Sequence, residues 1–122
     1  MKNLKSIVVA LTLVAAIVVN AQEPETVNLS QTPGAFEQTE LTLEAGKAYV
    51  FEVANEGVDH KVGFVIAPKG KTDQANHISS AYLKSTIEDG ETAQSNQVVL
   101  EAGEYVYFCP LNPTPQYSIT VT

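Results

Sequence analysis

The feature that most constrains this chain is a series of short segments in which apolar and polar residues alternate. Residues 48–55 are the clearest case, because Tyr49, Phe51 and Val53 share one face at a period of two. Comparable segments, separated by turn signals at intervals of about 8–12 residues, lie at residues 26–30, 41–44, 104–109 and 117–121. The pattern predicts an all-β sandwich of about seven to eight strands, built as a single domain.

Three local expectations refine this sandwich. Residues 60–66 predict a further strand, with its apolar side chains on one face. Residues 96–100 and 104–109, separated by a Gly-containing turn, predict a hairpin. Residues 72–83 are the least strand-like part, and apolar residues recur there at helical spacing. We therefore expect a short helix between the two halves of the sandwich.

The first residues predict export. Lys2 and Lys5 precede an uncharged apolar stretch at residues 7–19, and Val19 and Ala21 suit the −3 and −1 positions of a cleavage site. This is the layout of a secretory signal peptide, residues 1–21, followed by a domain at residues 22–122. The apolar stretch is shorter than the roughly 20 residues of a membrane span, although an uncleaved anchor is the alternative. A periplasmic or secreted protein is expected.

The charge of the expected mature domain limits its partners. Residues 22–122 contain five Lys, no Arg and fourteen Asp plus Glu, which gives a net charge of −9. Nucleic acid is excluded as a partner class, because phosphate backbones require clustered basic residues. No second apolar segment predicts a membrane span after cleavage. We expect a monomer whose partners, if any, include a basic redox protein or a basic copper donor or acceptor.

Cys109 is the only cysteine, so no disulfide can form within the chain. Exported proteins usually pair their cysteines, and a single thiol there is buried, paired with another chain or bound to a metal. The composition alone leaves a buried inert thiol and a functional thiol equally open.

Two motifs narrow this choice. Residues 55–60 form a loop that begins at Asn55 and delivers His60 to an apolar segment, and residues 103–109 read Gly-Glu-Tyr-Val-Tyr-Phe-Cys. Together they resemble the cupredoxins, the family of plastocyanin and azurin, over essentially the whole expected mature chain. The resemblance implies a Greek-key sandwich that holds copper through a thiolate and imidazoles, a donor set typical of blue-copper sites. It implies that Cys109 is the thiolate and His60 an imidazole.

The loop after Cys109 departs from the family. A plastocyanin-type loop would place its second His at Asn112 and its Met at Tyr117, and the chain has neither a His nor a Met after Cys109. Two residues outside the family pattern are candidates for the missing ligands. His77, the only other histidine, would complete a Cys and two His set if its segment folds over this end, and Gln116 would be an axial oxygen ligand.

The expected function is copper binding, with a role in one-electron transfer or copper handling. The alternative is a sandwich without metal that acts as a structural or interaction module, in which Cys109 is a buried apolar residue and His60 a structural histidine. His77 would then be a packing residue and Gln116 an ordinary polar residue at a strand start. The spacing of His, Cys, Ser and Asp does not indicate a catalytic set, so we do not expect an enzyme.

Overall fold

The structure is a computed structural model that describes residues 23–122, so the predicted signal peptide lies outside the described residues. It confirms the all-β prediction. In this described part of the chain, two short 3-10 helices accompany eight strands: β1 (Glu25–Thr32), β2 (Ala35–Phe36), β3 (Glu40–Leu43), β4 (Ala48–Asn55), β5 (Val65–Pro68), β6 (Thr92–Val99), β7 (Gly103–Phe108) and β8 (Tyr117–Val121). Among residues 23–122, none of the helices has the length and apolar character needed to cross a bilayer.

The strands form two four-stranded sheets, one ordered β2-β1-β4-β6 and the other β3-β8-β7-β5. The pairings of β1 with β4 and of β3 with β8 are parallel, and the remaining pairings are antiparallel. The predicted hairpin is wrong, because β6 pairs with β4 whereas β7 pairs with β5 and β8. After Val99 the chain therefore crosses from one layer of the sandwich to the other.

The core lies between the two sheets. On β4 the side chains of Tyr49, Phe51 and Val53 are buried, as the alternation predicts, and Tyr107 and Ile119 are buried on the facing sheet. Fully burying a side chain of this size contributes about 1.5–3 kcal/mol. An edge-to-face aromatic group, in which Phe36 packs on Phe64, Tyr107 and Tyr117, extends this core toward the end that carries Cys109.

The segment predicted as a strand from residue 60 becomes a strand only at Val65. Before that point Val62 makes one isolated bridge to Ile87, and the bonds of the Asn55 side chain hold residues 58–60 in a loop. The alternation of apolar and polar residues does not reveal such a loop, because the loop depends on side-chain hydrogen bonds to the backbone that compete with strand pairing.

The helix expected at residues 72–83 is realised as two 3-10 helices, Gln74–Asn76 and Ser79–Ala81. Between them the N–H of Ile78 donates to the carbonyl of Ile66 at 2.8 Å, which ties the segment to the edge of β5. His77 and Ile78, the two residues between the 3-10 helices, both have extended backbone, so the helical turns do not join into a longer helix.

Candidate functional site

Cys109 follows β7 directly and its side chain enters the core, where the residue is 2% exposed. Two backbone N–H groups donate to its sulfur, from Gly63 at 3.3 Å and from Asn112 at 3.2 Å. Its own N–H donates to Thr114 Oγ1 at 3.2 Å, which fixes the loop that follows. The thiol is thus held from both sides by backbone donors.

Asn112 is buried in the loop after Cys109, at 4% exposed. Its Oδ1 accepts the N–H of Gly34 at 2.8 Å, and its Nδ2 donates to the carbonyl of Thr32 at 3.0 Å and to Gln31 Oε1 at 3.2 Å. These bonds join the loop between β7 and β8 to the turn between β1 and β2. Asn112 thus acts as a bridge between two distant loops.

Gln31 completes a closed circuit around the thiol. It is 0% exposed, and its Nε2 donates to the carbonyl of Gly63 at 2.6 Å while its Oε1 accepts from Asn112. Gly63 and Asn112 in turn both donate to the Cys109 sulfur. We call these four residues, Gln31, Gly63, Cys109 and Asn112, the thiol network.

His60 lies outside this network. Its side chain is exposed on the bend after Val58, and Nδ1 is 3.0 Å from the carbonyl oxygen of Lys61. Asn55 determines this placement, because its Nδ2 donates to the carbonyl groups of Val58 and His60. In this part of the chain the residue that contacts the Cys109 sulfur is Gly63, three residues beyond the predicted ligand.

His77 is placed apart from the thiol. Its Nε2 faces the carbonyl of Thr72 at 3.0 Å and therefore carries the proton, so that Nδ1 accepts from the Tyr82 hydroxyl at 2.7 Å. The ring also packs edge-on against Phe108, with centroids 6.0 Å apart. Phe108 precedes the core residue Cys109, and consecutive side chains of an extended strand point to opposite faces. His77 therefore lies on the outer face of the sheet.

Gln116, the fourth predicted ligand, is exposed directly before β8. Within residues 23–122, no group of three or more His, Cys, Asp or Glu side chains is arranged to hold a metal ion. The donor set around the sulfur consists of amides, whereas a blue-copper centre requires two imidazoles. The side chains as placed do not fit that centre, although the sulfur with its two N–H donors fits a single thiolate ligand.

A groove of about 340 Å³ opens beside the thiol network. Its lining is mostly apolar and includes Gly63, Phe64, Tyr82, Leu83, Pro110 and Leu111. Leu111 lies across Gly63, since a β-carbon added at Gly63 would be 4.0 Å from Leu111 Cδ1. Leu111 is nevertheless 48% exposed, so a partly solvated side chain covers this approach to the thiol.

Tyr107 lies two residues before Cys109, in the core of the same sheet. Its hydroxyl donates to the carbonyl of Gln38. Burial, and next the neighbouring Tyr117, raise the pKa of Tyr107 to about 12. The side chain therefore remains a neutral donor through the physiological pH range.

The sequence reasoning missed Gln31 and Gly63 as neighbours of the thiol and treated Asn112 only as the position of the family's second histidine. One signal for Gln31 was present, because it continues the period-two face of Leu29, and Leu29 is buried. An amide at a core-facing position of a strand predicts a buried partner. No comparable signal connects Asn112 with Gln31, since the two are 81 residues apart.

No protein-family model matches the sequence, and no curated protein matches it. Solved structures do match. Auracyanin A, a "blue" copper protein from Chloroflexus aurantiacus, has a TM-score of 0.68 at 20% identity, covering 82% of this chain and all (100%) of that one.

Two further structures agree with this match. Reduced auracyanin from Roseiflexus castenholzii has a TM-score of 0.64 at 16% identity, covering 83% of this chain and 99% of that one. Amicyanin from Paracoccus versutus has a TM-score of 0.53 at 16% identity, covering 84% and 87% of the two chains. The resemblance to the cupredoxins seen in the sequence is thereby confirmed in the architecture, and this chain has the cupredoxin fold.

Proposed function

We propose that this protein is an exported copper-binding protein that binds Cu(I) through the Cys109 thiolate and takes part in copper handling. His60 is the proposed imidazole ligand. The bound metal would supply a soft, thiolate-preferring ion that can be passed between proteins. The protein is proposed to be periplasmic or secreted, monomeric and not catalytic, and to exchange copper with a basic partner that complements its acidic surface.

The observation that carries this proposal is the pair of N–H groups directed at a buried sulfur. The sulfur of a neutral thiol is a weak acceptor, so a neutral Cys109 would compensate these two donors poorly. A thiolate accepts N–H bonds more strongly, but a buried anion requires a nearby positive charge. A Cu(I) ion on the sulfur would satisfy both requirements.

His60 is compatible with this role because little holds its ring in place. The imidazole is exposed, and among residues 23–122 its hydrogen-bond contact is to the neighbouring carbonyl of Lys61. Releasing such a bond costs about 0.5–1.5 kcal/mol, which coordination to a metal would offset. The ring of His77, by contrast, has both nitrogens bonded and lies on the outer face of the sheet. We therefore leave His77, and the exposed oxygen donor Gln116, out of the proposed Cu(I) ligand set.

One observation favours a second candidate, a sandwich without metal that acts as an interaction module. The side-chain amides of Gln31 and Asn112 have partners within the protein, so the thiol network is closed without any ion. In that case the sulfur is a small core residue and the stability of the protein is indifferent to copper.

The decisive experiment is an anaerobic competition between the purified protein and a chromophoric Cu(I) chelator, with a parallel Cu(II) titration followed by visible absorption. We expect the protein to remove Cu(I) from the chelator, Cys109→Ser to lose this ability and His60→Ala to weaken it. Ser95→Ala, which alters another buried polar residue on β6, is the matched control and should bind as the parent does.

The results separate the two candidates. Cu(I) uptake that depends on Cys109 supports the copper-binding protein, and a rise in the unfolding temperature on adding Cu(I) would accompany it. Absence of uptake in either oxidation state, with an unfolding temperature that copper does not change, would contradict that proposal and favour the metal-free module.

A further inference from the structure

The side chain of Gln31 contacts both of the segments that supply N–H donors to the thiol. Its Nε2 donates to the carbonyl of Gly63 at 2.6 Å, and its Oε1 accepts from Asn112 Nδ2 at 3.2 Å. We infer that Gln31 is a positioning residue, which holds the backbone of Gly63 and of Asn112 so that both N–H groups point at the Cys109 sulfur. The expected effect of Gln31 on Cu(I) affinity rests on the proposed function.

The surroundings of Gln31 make its amide a rigid support. It belongs to β1, where its backbone pairs with Asn55 of β4 in parallel register and with Phe36 of β2. Its carbonyl also accepts the N–H of Glu56 at 2.8 Å. A side chain that is fully buried on a strand bonded at both edges has little freedom, so its two amide ends define fixed positions.

The two segments that Gln31 holds have less support of their own. Gly63 lies outside the strands, between the isolated bridge at Val62 and the start of β5. Asn112 lies in the loop between β7 and β8, among three prolines. Because these are loop segments, the direction of their N–H groups depends on bonds such as those from Gln31.

An apolar side chain at position 31 would preserve core volume and remove both contacts. The Gly63 carbonyl would then lose its bond from Nε2, and Asn112 Nδ2 would retain only the Thr32 carbonyl. Unpaired buried polar groups shift toward water when they can. The N–H groups of Gly63 and Asn112 would therefore move away from the sulfur even though neither residue is substituted.

Gln31→Met tests this inference, because methionine has nearly the same length and offers no amide. Gln31→Asn, which keeps an amide on a side chain one methylene shorter, serves as a second variant that is more easily tolerated by the fold. Ser95→Ala is the matched control for loss of a buried polar group elsewhere in the core. Each variant is compared with the parent by amide NMR, by thiol labelling at one pH and by Cu(I) competition.

In the copper-free protein we expect both Gln31 variants to shift the amide signals of Gly63 and Asn112 and to speed their hydrogen exchange. The rate of Cys109 labelling should rise several-fold. Cu(I) affinity should fall by about tenfold or more, as for other residues that orient metal ligands. Ser95→Ala should leave all three readouts close to those of the parent.

Unchanged amide signals at Gly63 and Asn112 in a folded Gln31 variant would overturn the inference. So would an effect of equal size in Ser95→Ala, because that result would reflect general loss of stability. If the parent itself binds no Cu(I), the proposed function fails, while the amide and labelling readouts still decide whether Gln31 positions the donors.

Discussion

Asn112 stands where a plastocyanin-type loop would carry its second histidine, and its backbone N–H is already bonded to the Cys109 sulfur. Its amide side chain forms hydrogen bonds with Gln31, Thr32 and Gly34. The identity of the side chain at position 112 therefore determines whether this position offers a metal ligand or a structural bridge. The neighbouring backbone is compatible with either, since it places position 112 beside the sulfur.

We expect Asn112→His to bring an imidazole next to the thiolate and to produce a visible Cu(II) absorption band that the parent lacks. Loss of the amide bonds should lower the free energy of unfolding by about 1–3 kcal/mol. The measurement is a Cu(II) titration followed by visible spectroscopy, with Asn112→Ala as the control for the lost bonds. A folded Asn112→His protein without the band would show that this loop does not correspond to the plastocyanin type.

The buried Tyr107 allows a prediction of how the free energy of unfolding depends on alkaline pH. Burial and the neighbouring Tyr117 raise the pKa of Tyr107 to about 12, above its value of 10.0 in the unfolded chain. Its contribution to stability is therefore complete below pH 10 and is lost as the pH rises from about 10 through 12. The free energy of unfolding should fall across this range.

The check is denaturant unfolding at several alkaline pH values, together with the ultraviolet absorbance of tyrosinate. Tyr107→Phe should flatten the pH dependence, whereas Tyr82→Phe, at an exposed tyrosine, should not. A parent protein whose stability rises between pH 10 and 12 would contradict the assignment.

Among the elements, the loop between β7 and β8 both anchors the surroundings of Cys109 and covers the approach to its sulfur. Thr114 accepts a bond from the Cys109 backbone, and Asn112 anchors the loop to the turn after β1. Leu111 lies between Cys109 and Asn112 in the chain, and its side chain covers Gly63 while remaining half exposed. The loop is thus held by hydrogen bonds at Asn112 and Thr114, whereas the apolar side chain of Leu111 is in contact with solvent.

We expect Leu111→Ala to raise the rate at which a small thiol reagent labels Cys109 by several-fold, because it removes the side chain over Gly63. Stability should change by less than about 1 kcal/mol, since Leu111 is 48% exposed. Val99→Ala, at a 58% exposed position of β6, is the matched control and should leave labelling unchanged. Equal labelling of parent and Leu111→Ala would show that reagents reach the thiol by another route.

Over the whole molecule, acidic residues outnumber basic ones and few ion pairs balance them. The described chain has pairs of Lys47 with Glu25 at 2.7 Å and with Glu44 at 3.8 Å, and of Lys69 with Glu104 at 3.2 Å, all on the surface. Exposed pairs of this kind contribute about 0–1 kcal/mol each. The remaining carboxylates repel one another, which disfavours the compact state.

Added sodium chloride should therefore raise the unfolding temperature. We expect a rise of a few degrees, equivalent to about 1 kcal/mol for a domain of this size, with most of the effect reached near 0.1–0.2 M salt, where screening is strong. The measurement is thermal unfolding across a salt series, with sucrose as an uncharged additive for comparison. A steady fall in unfolding temperature with salt would show that the surface pairs outweigh the repulsion.

The sequence predicted the strands better than their partners. The alternation on β4 and the segment ending at Cys109 depend on local periodicity, which a single sequence displays. The assignment of β6 and β7 to different sheets depends on packing between distant segments, so the predicted hairpin failed. The positions of His60 and His77 likewise depend on hydrogen bonds to Asn55, Thr72 and Tyr82, which the local sequence pattern does not predict.

The parallel pairing of β3 with β8 joins Glu40 to Ser118, nearly the full length of the domain apart. Such non-local pairing slows folding, because a long stretch of chain must be ordered before the contact forms. During synthesis β3 lacks its partner strand until β8 has been made, and the Gln31 side chain lacks one of its partners until Asn112 has been made. Because the N–H groups that surround the Cys109 sulfur come from Gly63 and Asn112, we expect this thiol to be accessible to oxidants until both segments have taken their folded positions.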